Sequence, residues 1–65
     1  MHAKVTLLDG RFTTIEIVET KSTADLRHTE YRTATGQVFD VDNETGKAVV
    51  LFHGKAVALG GFCII

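Results

Sequence analysis

The sequence contains no proline and a single cysteine among its 65 residues. Without proline, no position denies a β-ladder its backbone donor. With Cys63 alone, no intrachain disulfide can staple the fold. No apolar run approaches the roughly 18 residues needed to cross a bilayer. Met1-His2-Ala3-Lys4 leads directly into alternating residues rather than into a signal peptide. The ending Phe62-Cys63-Ile64-Ile65 falls one residue short of a prenylation box. Excess basic charge is missing too. Seven Lys and Arg against eight Asp and Glu leave a net charge of -1, which excludes the strongly basic footprint of a DNA-coating protein. A lone thiol with no export signal gives a cytoplasmic expectation, with no membrane partner.

What is present is ordinary for a globular chain: 45% hydrophobic and 23% charged residues, too apolar for intrinsic disorder. A single domain spanning residues 1–65 is all that this length allows. Such a chain buries only about 60% of the surface that its unfolded form exposes. Its core alone supplies roughly 3–5 kcal/mol, so small domains add disulfides, metals or self-association.

Nine Thr, seven Val and four Ile favour strands. Six glycines punctuate the alternation at Gly10, Gly36, Gly46, Gly54 and Gly60-Gly61. This spacing predicts an all-β antiparallel meander of five or six strands, curling into a barrel-like or sandwich unit. Asp9-Gly10 and His53-Gly54 fit two-residue turns, Ala34-Thr35-Gly36 a three-residue loop, and Asn43-Glu44-Thr45-Gly46 a four-residue loop. The last three turns together place Tyr31, Phe39, Val41, Ala48, Val50, Phe52, Val57 and Leu59 on one face. Ser22-Thr23-Ala24-Asp25 has the shape of a helix start, and predicts one short helical turn near residues 22–27.

The opposite face of this sheet is not cleanly polar, since Val38, Val49, Leu51, Ala56 and Ala58 lie among Asp40, Asp42 and His53. A half-buried antiparallel sheet should read apolar on one side only. In the first hairpin, Leu7, Phe12 and Val18 share one side, and Leu8, Ile15 and Ile17 the other. So short a chain cannot cover two apolar faces. The expected oligomer interface therefore comprises Val38, Val49 and Leu51 with the tail residues Phe62, Ile64 and Ile65.

Chemistry-bearing residues are sparse. His2, His28, His53 and Cys63 lack the close pairing of zinc ligands. Ser22 has no nucleophile elbow around it, and Cys63 lies in an apolar tail where a thiol is inert. Asp40 and Asp42 beside Asn43 and Glu44 lack the spacing of a calcium loop. Glu44-Thr45-Gly46-Lys47 lacks the first glycine of a phosphate loop. No cofactor or catalytic residue is expected. The leading expectation is a non-catalytic module that self-associates and docks on a larger protein, as an accessory or inhibitory protein of the kind that small mobile-element genes encode. The alternative is a barrel binding a nucleotide or single-stranded nucleic acid through Arg27, His28, Tyr31 and Arg32, where basic groups flank an aromatic.

Overall fold

The computed structural model describes residues 1–65 and contains strands, turns and no helix. No helix long and apolar enough to cross a membrane is therefore present. The strands are β1 (His2–Thr6), β2 (Phe12–Glu16), β3 (Glu19–Ser22), β4 (His28–Arg32), β5 (Val38–Asp42), β6 (Ala48–Phe52), β7 (Lys55–Ala58) and β8 (Gly61–Ile64). They form two antiparallel sheets, ordered β2-β1-β8 and β3-β4-β5-β6-β7.

Eight strands replace the expected five or six because two stretches of chain are each divided at a corner. Ile17 N–H still bonds Met1 on the small sheet, whereas Val18 N–H bonds Arg32 on the large one. Leu59 N–H bonds Ala48 of the large sheet, and Gly60 N–H bonds Thr6 of the small one. Neither sheet closes on itself as a barrel. The second corner demands glycine, because a Cβ on Gly60 would lie 2.6 Å from the Leu7 carbonyl oxygen. Backbone cannot yield as a flexible side chain can.

Three turn expectations hold. Gly36 N–H bonds Thr33, and Thr33 N–H bonds Gln37, around a three-residue loop with Gly36 at φ 89°. Asp42 and Lys47 close the four-residue loop. His53 and Gly54 both have positive φ (49° and 77°), as a type I′ turn requires. Tyr31 accordingly faces Phe39, Phe39 faces Val50, and Val50 faces Val57. The apolar face is the expected one.

Two local expectations fail. Residues 22–27 form the end of β3 and a hairpin turn instead of a helical turn. There the Thr23 hydroxyl donates to Asp25 at 2.6 Å, and Asp25 accepts the Arg27 N–H. Short polar side chains bonding locally in this way draw the backbone out of helix. Leu26 takes a left-handed φ of 60° to complete the turn. The first hairpin turns through Leu8, Asp9 and Gly10, with Leu7 N–H bonded to Arg11, and only Gly10 has positive φ. That extra loop residue pairs Thr6 with Phe12. It moves Phe12 to the outward face, where the Lys4 ammonium sits 4.4 Å from its ring centre.

Between the sheets lie Ala3, Val5, Ile17, Phe39 and Ala48, which are buried. Phe62 of β8 reaches across to Tyr31 (ring centres 4.9 Å apart) and Phe39 (5.5 Å). The small sheet does not cover the far end of the large one. Phe52 and Val57 face inward as expected yet remain 52% and 50% exposed. Phe62→Ala is expected to remove roughly 3 kcal/mol, enough to unfold most of so small a domain, as read by chemical denaturation. Gly60→Ala should cost about 1–3 kcal/mol through backbone overlap, and a denaturation midpoint equal to wild type would contradict the close approach.

Candidate functional site

Strand register divides the outward face of the large sheet into two chemically different halves. One cross-strand row runs Glu19, Arg32, Val38, Leu51, Ala56. The next runs Lys21, Glu30, Asp40, Val49, Ala58. Each row begins charged on β3–β4 and ends apolar on β6–β7. The apolar half is contiguous because neighbouring rows on one face lie side by side. Val38 and Val49 are half-buried, and Leu51 is 40% exposed.

The polar half is held together by local bonds. His28 Nδ1 lies 2.9 Å from Asp40 Oδ1. His28, Asp40, Asp42, Lys47 and Val49 line a shallow depression of about 250 Å³. Its lining includes neither a hydroxyl nor a thiol. Arg27 lies 3.6 Å from Glu44, with both side chains mostly exposed. No three His, Cys, Asp or Glu side chains are grouped closely enough to hold a metal ion.

The proposed nucleic-acid residues do not converge. Arg27 sits in the β3–β4 turn, while His28 and Arg32 point outward from β4. Tyr31 points inward and is half-buried, with its ring against Phe62 and on the opposite face from His28 and Arg32. Alternation along β4 separates them by construction. Of the tail residues, Phe62 lies between the sheets, whereas Ile64 and Ile65 are 41% and 66% exposed. Ile64 pairs with Ala3, and Ile65 N–H bonds His2, which ties the tail into the small sheet. Cys63 is exposed and faces Lys4 in register. His2 is exposed on β1, and His53 packs its ring edge-on to Phe52 with centres 4.2 Å apart.

Some exposed groups had no sequence signal. Leu26 (70% exposed) reads as part of a helical or strand pattern, and only its left-handed turn explains its exposure. Phe12 could be placed only with the true loop length. Comparison with protein-family models, curated proteins and solved structures gives no match, and the functional reading therefore rests on geometry.

Two carboxylates, the exposed Asp25 and the half-buried Asp42, support the turns beside this surface. Asp42 accepts the N–H groups of Glu44 (2.8 Å) and Thr45 (3.3 Å). These bonds hold its carboxyl below the ordinary value of 3.8. Asp25 is lowered likewise, first by the Thr23 hydroxyl and then by the Arg27 N–H. A carboxylate whose value falls on folding contributes fully above its ordinary value, and that contribution disappears as pH falls through the folded value. Stability should therefore decline as pH drops below about 4. The double variant Asp25→Asn/Asp42→Asn, which keeps each acceptor oxygen, should show a flatter fall in melting temperature across that interval.

Proposed function

We propose that the chain is a non-catalytic, barrel-like β module that works in the cytoplasm by protein–protein contact and self-associates. Its contact surface is the apolar half of the outward face: Val38, Val49 and Leu51, flanked by Ala56 and Ala58. At the end of the small sheet Ile65 adds an exposed apolar side chain on the outward side, and Ile64 one at the open end of the inward side. The barrel-like description is supported by the two corners, at Ile17–Val18 and Leu59–Gly60, where one stretch of chain bonds first one sheet and then the other.

The surface that the fold leaves in water carries this reading. Only five residues are buried, and the accessible surface is 4552 Å². A folded monomer of this mass exposes about 4,100 Å². The excess does not come from an extended shape, because the radius of gyration is 11.0 Å, close to the value of about 11 Å for this length. Eleven large apolar side chains are exposed, Leu51, Val57, Ile64 and Ile65 among them. A second copy of the chain would cover part of this surface and supply the support that a 65-residue core lacks. The same surface suits docking on a larger protein, which would make the module an accessory or inhibitory protein of mobile-element type.

Light scattering on a concentration series from about 10 µM to about 1 mM tests the reading. The expected mass rises above 7.1 kDa and persists in about 1 M salt, because apolar contact is not screened. A mass of 7.1 kDa at every concentration would overturn self-association. Dissociation by salt would move the contact to the charged half.

A further inference from the structure

We propose that two copies join through β7, edge to edge and antiparallel, about a two-fold axis passing between their Val57 residues. This inference rests on the self-association reading and names its seam.

β7 differs from every other edge. The sheets end at β2, β8, β3 and β7. All residues of β3 and β7 are exposed, but β3 reads Glu-Thr-Lys-Ser whereas β7 reads Lys-Ala-Val-Ala. Gly61 and Phe62 of β8 are half-buried, with Phe62 engaged in the core, and β2 carries Thr13, Thr14 and Glu16. Natural edge strands are protected by charge, proline or a bulge. β7 has Lys55 at its start and no other such device. An unprotected apolar edge in a chain this small marks a pairing strand.

Hydrogen-bond parity fits the same arrangement. Leu59 N–H donates to Ala48, and β6–β7 pairing sets Val50 opposite Val57. Alternation in an antiparallel ladder then directs the main-chain groups of Lys55 and Val57 to β6. Those of Ala56 and Ala58 point to the free edge. A two-fold axis between the Val57 residues sets Ala56 opposite the partner's Ala58, and each such pair exchanges both main-chain bonds. The two Val57 residues then meet at a non-hydrogen-bonded position, where side chains approach most closely.

Side chains match on both faces. Val57, half-exposed in one copy, gains the partner's Val57 as its neighbour. On the outward face, the row Val38-Leu51-Ala56 runs on through the partner's Ala58 and the partner's Val49. The two apolar halves merge into one band across the seam; pairing covers the β7 edge and Val57, and the band stays open for the larger protein on which the module docks. A four-residue strand buries less than the ~800 Å² per partner of a standard complex, so the dimer forms weakly and its population follows concentration.

Because the residue on the axis meets its own copy, charge at Val57 gives a decisive test. Val57→Lys alone and Val57→Glu alone should each raise the half-dimerisation concentration about tenfold or more, since like charges face one another. An equal mixture of the two should restore dimerisation to near wild type, while circular dichroism shows each variant folded. Unchanged dimerisation in both single variants, or a mixture no better than its parts, would overturn the β7 seam and leave self-association standing. A wild-type protein that stays monomeric would overturn both. Cross-linking avoids dependence on charge. In a Cys63→Ser background, Val57→Cys should oxidise to a covalent species of twice 7.1 kDa, because facing Cα atoms at such a site lie about 4.5 Å apart, within disulfide reach. Absence of that species at concentrations where the protein is dimeric would overturn the seam.

Discussion

The contact of Phe62 with Tyr31 and Phe39 is what the rest of the structure depends on. The two sheets share few other large side chains, because most of the buried positions are Ala3, Val5, Ile17 and Ala48. A ring placed 4.9 Å from one aromatic and 5.5 Å from another supplies the thickness that holds two sheets apart and together. The position of that ring is set in turn by the corner at Gly60. Leu59 and Phe62 both face inward although they are three residues apart, so the corner contains one residue more than strict alternation permits. A chain that must reverse its parity while touching Leu7 backbone can do so only without a Cβ. Core and corner are thus one constraint.

That dependence explains which parts were legible in the sequence. Residues 29–59 carry turns of known length, and each length fixes a register, so the inward face from Tyr31 to Leu59 followed from counting. The first hairpin was not legible in the same way. Asp9-Gly10 fits a two-residue turn, and also the last two positions of a three-residue loop in which only Gly10 is left-handed. The choice decides whether Phe12 faces the core. Residues 22–27 failed for a different reason: short polar side chains there suit a helix start, with Ser22 and Asp25 in the capping positions, and equally a tight turn, with Thr23 and Arg27 bonded to Asp25. Which use wins depends on β3 and β4 finding each other. The corners, where one strand serves two sheets, depend on long-range closure that no local pattern encodes.

The candidate surface was legible in part. Period-two alternation identified Val38, Val49 and Leu51 as outward and apolar, and the register places them together. The same alternation also separates Tyr31 from His28 and Arg32. A basic-aromatic cluster in sequence therefore divides between core and surface once the strand forms. Reading a cluster on a strand requires asking which members share parity, and Tyr31 does not share it with His28 and Arg32. The tail residues sort by position as well as parity: Phe62 and Ile64 share the inward side, but only Phe62 meets Tyr31 and Phe39, and Ile64 at the open end stays 41% exposed.

The unusual feature is then where this chain places its charge. Glu19, Lys21, Glu30, Arg32 and Asp40 occupy the β3–β4–β5 side of the outward face, and none lies on β6. Had solubility been the only demand on this face, the charges would be distributed along each row. Their segregation leaves β6 and β7 apolar on the side away from the core, with Lys55 at the turn. Such an arrangement opposes aggregation through β3, whose side chains carry both signs, while leaving β7 competent to pair. The opening shortage of the sequence has the same consequence. With no proline in the chain and no bulge within β7, nothing in the backbone blocks that edge, and the side chains beside it are ones that water does not favour.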